Sequence, residues 1–349
     1  RKPGAMYPRC VEIKHGGNKG ALLATFECYT HSQPVFPIYE STDQGESWRK
    51  ISEVRDNEKN FGCRFQPHIF ELPVKCGNLE AGTLLCAGNI IPDDFSSCYL
   101  HIYKSTDMGR SWEFMSEIIS GGEARVDPEQ KDEMRPVWEP FLAVTPEGKL
   151  ICYYSDERYA KSRGYNQMLA HKVSEDGGYS WGDEKIDVAF PDGRLRPGMP
   201  IVEKLPNGKY IMVYEIVNQD GVPVYFRISD SMEDWGEADF IGNPVRTADG
   251  GYISGTPYVA WVPYGGENGT ILVTGRGFSR VFANSNIGNG FWEEMDALAD
   301  IDNTIGSTGY SQCVLPISDG RQILNICPRQ MSEDLCYLEA VVADIYERV

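Results

Sequence analysis

A segment with the pattern S-x-D-x-G-x-S-W occurs three times and constrains the fold of this chain more than any other feature. The copies are residues 41–48, 105–112 and 174–181, and residues 229–235 form a degenerate fourth. In such a segment the Asp accepts hydrogen bonds from turn amides, the Gly supplies a positive φ, and the Trp packs between sheets. The recurrence indicates repeated structural units, in which these segments have a structural rather than a catalytic role.

A second repeat runs through the whole chain, because six apolar strands follow short segments that mostly contain proline. These segments are Tyr7-Pro8, Gln66-Pro67, Glu139-Pro140, Met199-Pro200, Thr256-Pro257 and Tyr310-Ser311. A second strand is predicted after each, at residues 21–26, 83–87, 150–154, 210–214, 270–274 and 322–326. In the first four units a third strand runs into the repeated segment, and its Trp opens a fourth strand.

The two repeats predict one all-β domain over residues 1–349, a six-bladed β-propeller with four-stranded antiparallel blades. The last unit has three recognisable strands and ends with residues 338–346. The sequence leaves open which terminus completes it.

The charge of the chain limits its partners. With 33 Lys and Arg against 51 Asp and Glu, the formal net charge is −18. We therefore expect no nucleic acid and no membrane as partners, because phosphate binding requires clustered cationic side chains and no stretch approaches the ~20 apolar residues of a membrane helix. A neutral or cationic substrate fits better. A closed propeller leaves few unpaired strand edges, so we expect a monomer.

The ten cysteines form no C-x-x-C pair, which argues against zinc. Their even number suits disulfides in a secreted protein, although several lie in apolar runs that also fit free buried thiols. The sequon Asn268-Gly269-Thr270 and a Lys/Pro-rich start that resembles a processed end favour secretion. The five histidines show no metal-ligand spacing, so we predict neither a metal nor a cofactor.

Strand order predicts which residues surround the axis. If the repeated segment joins the third and fourth strands of a blade, the opposite face carries the start of the innermost strand and the end of the second. Such positions are natural ligand sites. From the innermost strands they are Arg9, Gln66, His68, Trp138, Glu139, Met199, Tyr258, Tyr310 and Gln312. From the second strands they are Glu27, Asn89, Asp156, Glu157, Glu215, Arg276 and Arg329.

Glu139 and Glu215 are the candidate catalytic residues, because each carboxylate follows or precedes an apolar run near the expected cavity. Two carboxylates with separated pKa values suit glycosidic-bond hydrolysis. For Trp138, Tyr214, Tyr258 and Tyr310, stacking on sugar rings and packing between blades are both open. The remaining predicted substrate-binding residues are Arg9, Gln66, His68, Asp156, Arg276, Gln312 and Arg329.

The repeated segment resembles the Asp box of sialidases, and Arg9 and the Tyr310-Ser311 pair also look sialidase-like. That resemblance implies three arginines that bind the substrate carboxylate. Arg9 and Arg276 match two of them, but Glu215 stands at the third position. Met199 stands where sialidases place a catalytic glutamate. The scaffold therefore resembles sialidases while the site departs from them.

Over essentially its whole length the chain is instead similar to secreted exo-α-1,5-L-arabinanases. This resemblance implies a retaining mechanism with one glutamate in the third blade and one in the fourth, matching Glu139 and Glu215. It also implies release of arabinobiose from the non-reducing end of linear arabinan. We assign Glu139 as nucleophile and Glu215 as acid/base, with the reverse assignment open.

Several alternatives stay open at this stage. Asp156 and Glu157 are reserve catalytic candidates, and Tyr310 is a sialidase-like nucleophile candidate. A sialidase-like enzyme for another substrate and a non-catalytic carbohydrate-binding propeller are the alternative functions. The long insertions at residues 89–97 and 121–135 are expected to determine how many sugars the cavity accepts.

Overall fold

The computed structural model describes residues 4–28, 32–125, 133–276, 280–296, 308–333, 335–346 and 349. These residues form 23 strands in six antiparallel sheets, which confirms the predicted six-bladed β-propeller. In every blade the strands are ordered as they occur in the chain. The first strands of successive blades contact one another, and the first strand of blade 1 contacts that of blade 6, which closes the ring.

The strands follow the predicted units closely. Blades 1 and 2 consist of β1 (Ala5–Glu12), β2 (Leu22–Cys28), β3 (Phe36–Ser41), β4 (Arg49–Val54), β5 (Gly62–Glu71), β6 (Leu84–Ile91), β7 (Cys98–Ser105) and β8 (Glu113–Gly121). Blades 3 and 4 consist of β9 (Val137–Val144), β10 (Leu150–Asp156), β11 (Met168–Ser174), β12 (Lys185–Val188), β13 (Arg196–Lys204), β14 (Tyr210–Val217), β15 (Val224–Ser229) and β16 (Asn243–Pro244). Blades 5 and 6 consist of β17 (Tyr258–Val262), β18 (Thr270–Thr274), β19 (Arg280–Asn284), β20 (Glu293–Asp296), β21 (Cys313–Ile317), β22 (Gln322–Ser332) and β23 (Leu335–Asp344).

Blade 6 has three strands within the described part of the chain. Helical structure there is limited to α1 (Ala160–Arg163) and the 3-10 turn Ser318–Gly320. Among the described residues, no helix has the length and apolar character needed to cross a membrane.

The S-x-D-x-G-x-S-W segments form the same turn in blades 1, 2 and 3. In blade 1 the Ser41 hydroxyl donates to Asp43 Oδ1 over 2.8 Å and accepts the Gly45 amide over 2.8 Å. The Ser47 amide donates to Asp43 Oδ1 over 2.9 Å. Hydrogen bonds, led by that of the Ser47 hydroxyl, lower the pKa of Asp43 to about 2. The contacts stay within the turn, so this Asp has a local structural role.

In blades 1 to 4 the proline-containing segments lie inside the innermost strands as β-bulges, not at their starts. In blades 5 and 6, Thr256-Pro257 and Tyr310-Ser311 come just before β17 and β21. In blade 3, Trp138 pairs with Ser155 and Phe141 with Tyr153, so residues 139 and 140 both oppose a single residue. Glu139 has a φ of 62°. Proline, which lacks an amide hydrogen, is tolerated at such a bulge. The corresponding residues of all six blades have positive φ, namely Tyr7, Gln66, Glu139, Met199, Thr256 and Ser311.

The expectation of disulfides was wrong, since all ten cysteines have free thiols. Nine of the ten are buried. Cys86 and Cys152 are fully buried in the second strands of their blades, where they pack within the hydrophobic core. A buried cysteine behaves as a small apolar side chain, which accounts for the placement of these residues without a cross-link.

Candidate functional site

A cavity of about 640 Å³ opens on the face of the propeller opposite to the S-x-D-x-G-x-S-W turns. Blades 2, 3, 4 and 6 and the connection after β8 contribute to its wall. The lining residues are Arg64, Phe65, Gln66, Phe95, Ala124, Arg125, Trp138, Glu139, Arg196, Glu215 and Tyr310. Both predicted catalytic glutamates are therefore on the wall of one cavity.

Glu139 and Glu215 lie close together although they belong to different blades. Glu215 on β14 pairs with Gly198 on β13. A Cβ atom placed on Gly198 would lie 3.5 Å from Glu139 Oε2 and 3.4 Å from Glu215 Oε1. By the triangle inequality these two oxygens are at most about 7 Å apart, a range that includes the ~5–5.5 Å of retaining glycosidases. A side chain at residue 198 would occupy the space between the two carboxylates.

The Glu139 carboxylate is held by several donors. Its Oε2 accepts the Ser155 hydroxyl over 2.6 Å and the Met199 amide over 2.7 Å. Its Oε1 lies 3.5 Å from Gln66 Nε2. Burial raises the pKa of Glu139, while these hydrogen bonds and the charge of Arg196 oppose that increase. The carboxylate is thus fixed in orientation, and its donors and Arg196 partly offset the effect of burial on its pKa.

The environment of Glu215 favours the protonated form more strongly. Burial, followed by the neighbouring negative charge of Glu139, raises the pKa of Glu215 to about 7. The Thr256 amide donates to Glu215 Oε2 over 2.6 Å, and the charges of Arg196 and Arg276 oppose the increase. A carboxyl group with a pKa near neutrality can both give and take a proton, as a general acid/base must.

Arg196 interacts electrostatically with both glutamates, because its positive charge lowers the pKa of Glu139 and of Glu215. It donates to the carboxylate of Glu157, which also accepts the Trp138 indole N–H over 2.9 Å. Glu157, a reserve catalytic candidate, is therefore held between Arg196 and Trp138 and does not line the cavity.

A row of aromatic rings forms one wall of the cavity. The ring centre of Phe65 lies 6.3 Å from that of Phe95 and 6.1 Å from that of Trp138. The predicted insertions meet here, because the Ala124 amide donates to the Phe95 carbonyl over 2.8 Å. Phe95 has a φ of 60°, unusual for an aromatic residue. Of the second insertion, residues 126–132 lie outside the described residues.

Three of the predicted substrate-binding residues, Gln66, Trp138 and Tyr310, line the cavity. A fourth, Arg276, lies beside it, because its guanidinium carbon is 5.6 Å from the Tyr310 ring centre and its charge acts on Glu215. Binding of substrate by these residues stays a prediction, and their positions are compatible with it.

Arg9 and Tyr258 lie on the inner ring without lining the cavity. Arg9 donates to the Ser311 carbonyl over 3.2 Å and to the Ser311 hydroxyl over 3.0 Å. Its guanidinium carbon is 5.1 Å from the Tyr258 ring centre. These contacts join blade 1 to blades 5 and 6, so Arg9 acts in ring closure.

His68 and Gln312 are also buried in the inner ring and satisfied by internal hydrogen bonds. His68 Nδ1 accepts the Leu142 amide over 2.9 Å, and burial, followed by the charge of Arg9, lowers the pKa of His68 to about 3. Gln312 Nε2 donates to the Gly275 carbonyl over 2.8 Å. Neither side chain is among the cavity-lining residues.

Asp156, Tyr214 and Arg329 do not line the cavity either. The Asp156 carboxylate is paired with the Arg158 guanidinium over 2.8 Å. The Tyr214 hydroxyl donates to a backbone carbonyl over 2.7 Å within the packing between blades. Arg329 Nη1 lies 2.7 Å from the Glu339 carboxylate. Each of these three side chains is engaged in contacts within the protein.

Sequence reasoning missed several cavity residues, above all Arg196. Arg196 lies at the start of β13, three residues before Met199 at the bulge of blade 4. The sequence signal that could have identified it is its position directly before Pro197. Phe65 directly precedes another of these segments and could have been found in the same way. Phe95 and Arg125 lie in connections between strands. The sequence gives the length of each connection but does not show which of its residues reach the cavity.

No metal centre is evident at this site. Within the described ranges, no group of three or more His, Cys, Asp or Glu side chains converges in a way that could hold an ion.

Replacing Glu215 by glutamine should stabilise the protein in a pH-dependent manner. Its pKa of about 7 in the folded chain exceeds the ~4.3 of an unfolded glutamate, so the fold loses stability as pH rises from about 4.3 to about 7, where the unfolded chain is ionised at this residue and the folded chain is not. At pH 8 we expect Glu215→Gln to raise the free energy of unfolding by up to about 4 kcal/mol, with a much smaller gain at pH 5. Urea denaturation at both pH values measures this, with Glu175→Gln, whose side chain is 83% exposed, as control. An equal gain in the free energy of unfolding at both pH values would contradict the raised pKa of Glu215.

Comparison with solved structures places these features in a known family. An alpha-L-arabinanase of Penicillium chrysogenum, complexed with arabinobiose, is 36% identical with a TM-score of 0.87, and the match covers 100% of this chain and 97% of that one. The GH93 alpha-L-arabinofuranosidase of Fusarium graminearum with arabinobiose is 34% identical with a TM-score of 0.87, over 99% and 94% of the two chains. This chain belongs to the GH93 family of glycoside hydrolases. The family resemblance predicted from the sequence is thereby confirmed.

Sialidases share only the fold with this GH93 member. The Trypanosoma rangeli sialidase is 15% identical with a TM-score of 0.56, and the match covers 98% of this chain but 55% of that one. A scan against models of protein families and a search of curated proteins find no match for this chain.

Proposed function

We propose that this GH93 member is a retaining exo-α-1,5-L-arabinanase, which releases arabinobiose from the non-reducing end of linear arabinan. The observation that supports this most is the pair of buried carboxylates, Glu139 and Glu215, on one cavity wall beside a row of aromatic rings. The two relatives of known structure were solved with arabinobiose bound, which supports the substrate class.

In the first step the Glu139 carboxylate attacks the anomeric carbon of the bound arabinosyl unit. The bond between that carbon and the leaving oxygen breaks, and Glu215 gives its proton to this oxygen. The donors around Glu139 support the nucleophile assignment because they orient its carboxylate and oppose the increase in its pKa that burial causes. The pKa of about 7 supports Glu215 as the acid.

In the second step Glu215, now a carboxylate, takes a proton from a water molecule whose oxygen attacks the anomeric carbon. The bond to Glu139 breaks and its carboxylate is regenerated, so the configuration is retained after two inversions. Loss of the ester restores the charge of Glu139, which again raises the pKa of Glu215.

The exo mode and the disaccharide product are supported by the wall that the two insertions build. Phe95 and Ala124 are joined by a backbone hydrogen bond, and Arg64 packs with its guanidinium carbon 5.3 Å from the Phe95 ring centre. A wall at one end of a cavity limits how far a chain can extend past the cleavage point. Secretion is proposed because the polymeric substrate lies outside the cell.

Incubation with linear arabinan, branched arabinan and a sialyl substrate tests the proposal. We expect arabinobiose as the main product from linear arabinan from the earliest time points. We expect no release of sialic acid, because Glu215 stands where the sialidase resemblance implies a third carboxylate-binding arginine. Product analysis by anion-exchange chromatography measures both. Absence of any product from either arabinan would refute the proposed function, and a ladder of longer products would refute the exo mode.

A further inference from the structure

The six residues with positive φ at the bulges of blades 1 to 4, or just before the innermost strands of blades 5 and 6, are connected from blade to blade. The backbone amide of such a residue donates to a side chain of the preceding blade at five of the six positions. The bonds run from the amide of Gln66 to Glu27 Oε1 (2.9 Å), Glu139 to Gln66 Oε1 (2.9 Å), Met199 to Glu139 Oε2 (2.7 Å), Thr256 to Glu215 Oε2 (2.6 Å) and Ser311 to Thr256 Oγ1 (3.1 Å). We call this set of bonds the bulge belt. Both catalytic glutamates are members of it.

Gln66 differs from the other members because it contacts a catalytic glutamate twice. Its Oε1 accepts the Glu139 amide over 2.9 Å, and its Nε2 lies 3.5 Å from Glu139 Oε1. The amide donor fixes which atom of the Gln66 side chain is the oxygen, so the NH₂ group must face the carboxylate. One side chain thus supports both the backbone and the charge of Glu139.

The backbone support matters because Glu139 has a φ of 62°, a region that costs energy for a residue other than glycine. The Gln66 oxygen satisfies an amide that the bulge removes from the regular strand ladder. Without it, the bulge could relax and the carboxylate would turn away from the space between blades 3 and 4. Gln66 is itself placed by the bond from its own amide to Glu27.

We propose that Gln66 is a positioning residue for the nucleophile, which orients Glu139 through its backbone amide and favours the ionised carboxylate through Nε2. This inference rests on the proposed function of Glu139. Other charged or titratable groups that face Glu139 are Tyr7, Glu157, Arg196 and Glu215. Because these groups are unchanged in a Gln66 variant, a shift in titration is attributable to the amide.

Two substitutions separate the two contacts. Gln66→Ala removes both, and we expect kcat to fall by about 10- to 100-fold and the acidic limb of the kcat/KM profile to rise by about one pH unit. Gln66→Glu keeps an acceptor for the Glu139 amide but replaces the NH₂ donor by a carboxylate oxygen. We expect it to move the acidic limb further upward than Gln66→Ala does.

Thr256→Ala is the matched control, because it removes the hydroxyl that accepts the Ser311 amide and keeps the Thr256 backbone amide that donates to Glu215. It should lower Tm while leaving the acidic limb in place. A wild-type acidic limb in both Gln66 variants would overturn the inference. The same would follow if Thr256→Ala moved the limb as far as Gln66→Ala.

A second readout needs no turnover and distinguishes this inference from the proposed function. In protein labelled with ¹³C at glutamate carboxyls, the Glu139 signal is identified by its loss in Glu139→Gln. Its titration midpoint should be higher in Gln66→Ala than in the wild type, even if arabinan is not the substrate. An unchanged midpoint would overturn the role of Gln66, whereas absence of arabinan hydrolysis with a shifted midpoint would refute only the function.

Discussion

Glu139→Gln should lower kcat on linear arabinan by about 10⁴-fold or more, because the glutamine amide cannot form the glycosyl ester. Glutamine keeps an oxygen that can accept from Ser155 and from the Met199 amide, so the cavity should keep its shape. Initial rates measured by reducing-sugar release, together with the binding of arabinobiose by calorimetry, check this. We expect binding within about tenfold of wild type, since the loss is in the chemical step.

Glu203→Gln is the matched control for this experiment. Glu203 lies on the innermost strand β13, burial raises its pKa to about 7, and it does not line the cavity. It should retain wild-type turnover. Full activity of Glu139→Gln would contradict the assignment of Glu139 as the nucleophile.

Glu215→Ala should lower the rate on arabinan by about 10³-fold but the rate on an aryl arabinoside much less. A phenolate with a low pKa leaves without a proton, so only the second step then lacks its base. Azide needs no base to attack the anomeric carbon and should accelerate turnover of the aryl substrate. Stopped-flow release of the phenol, with and without azide, measures both effects.

Glu139→Ala treated in the same way is the control for Glu215→Ala. In that variant azide replaces the nucleophile itself, so any product forms in a single displacement. Azide acceleration of Glu139→Ala with the configuration of the substrate retained would contradict the account and reverse the two roles.

Much of the fold follows from short-range sequence signals. The S-x-D-x-G-x-S-W turns are held by contacts within eight residues, as at Asp43, and the second strands are continuous apolar runs. The bulges could not be predicted in the same way. An X-Pro pair is compatible with a strand start or a bulge, and only pairing with the neighbouring strand shows that residues 139 and 140 oppose one residue.

The sequence predicted which strands contribute residues to the candidate site. It did not predict which face of each strand points into the site. Successive residues of a strand point to opposite sides. In blade 3, Ser155 donates to Glu139 whereas Asp156 is paired with Arg158. In blade 4, Glu215 lines the cavity whereas Tyr214 packs between blades. The predicted strand ends included Asp156 but not Ser155, and only the strand register shows which residue of each pair faces the site.

The configuration of the azide product from Glu215→Ala tests the central claim most directly. The account predicts an α-L-arabinosyl azide, with the anomeric configuration retained, because azide attacks an intermediate already bound to Glu139. The coupling constants of the purified product in ¹H NMR distinguish the two anomers. A β-configured azide from this variant, or an α-configured azide from Glu139→Ala alone, would contradict Glu139 as the nucleophile.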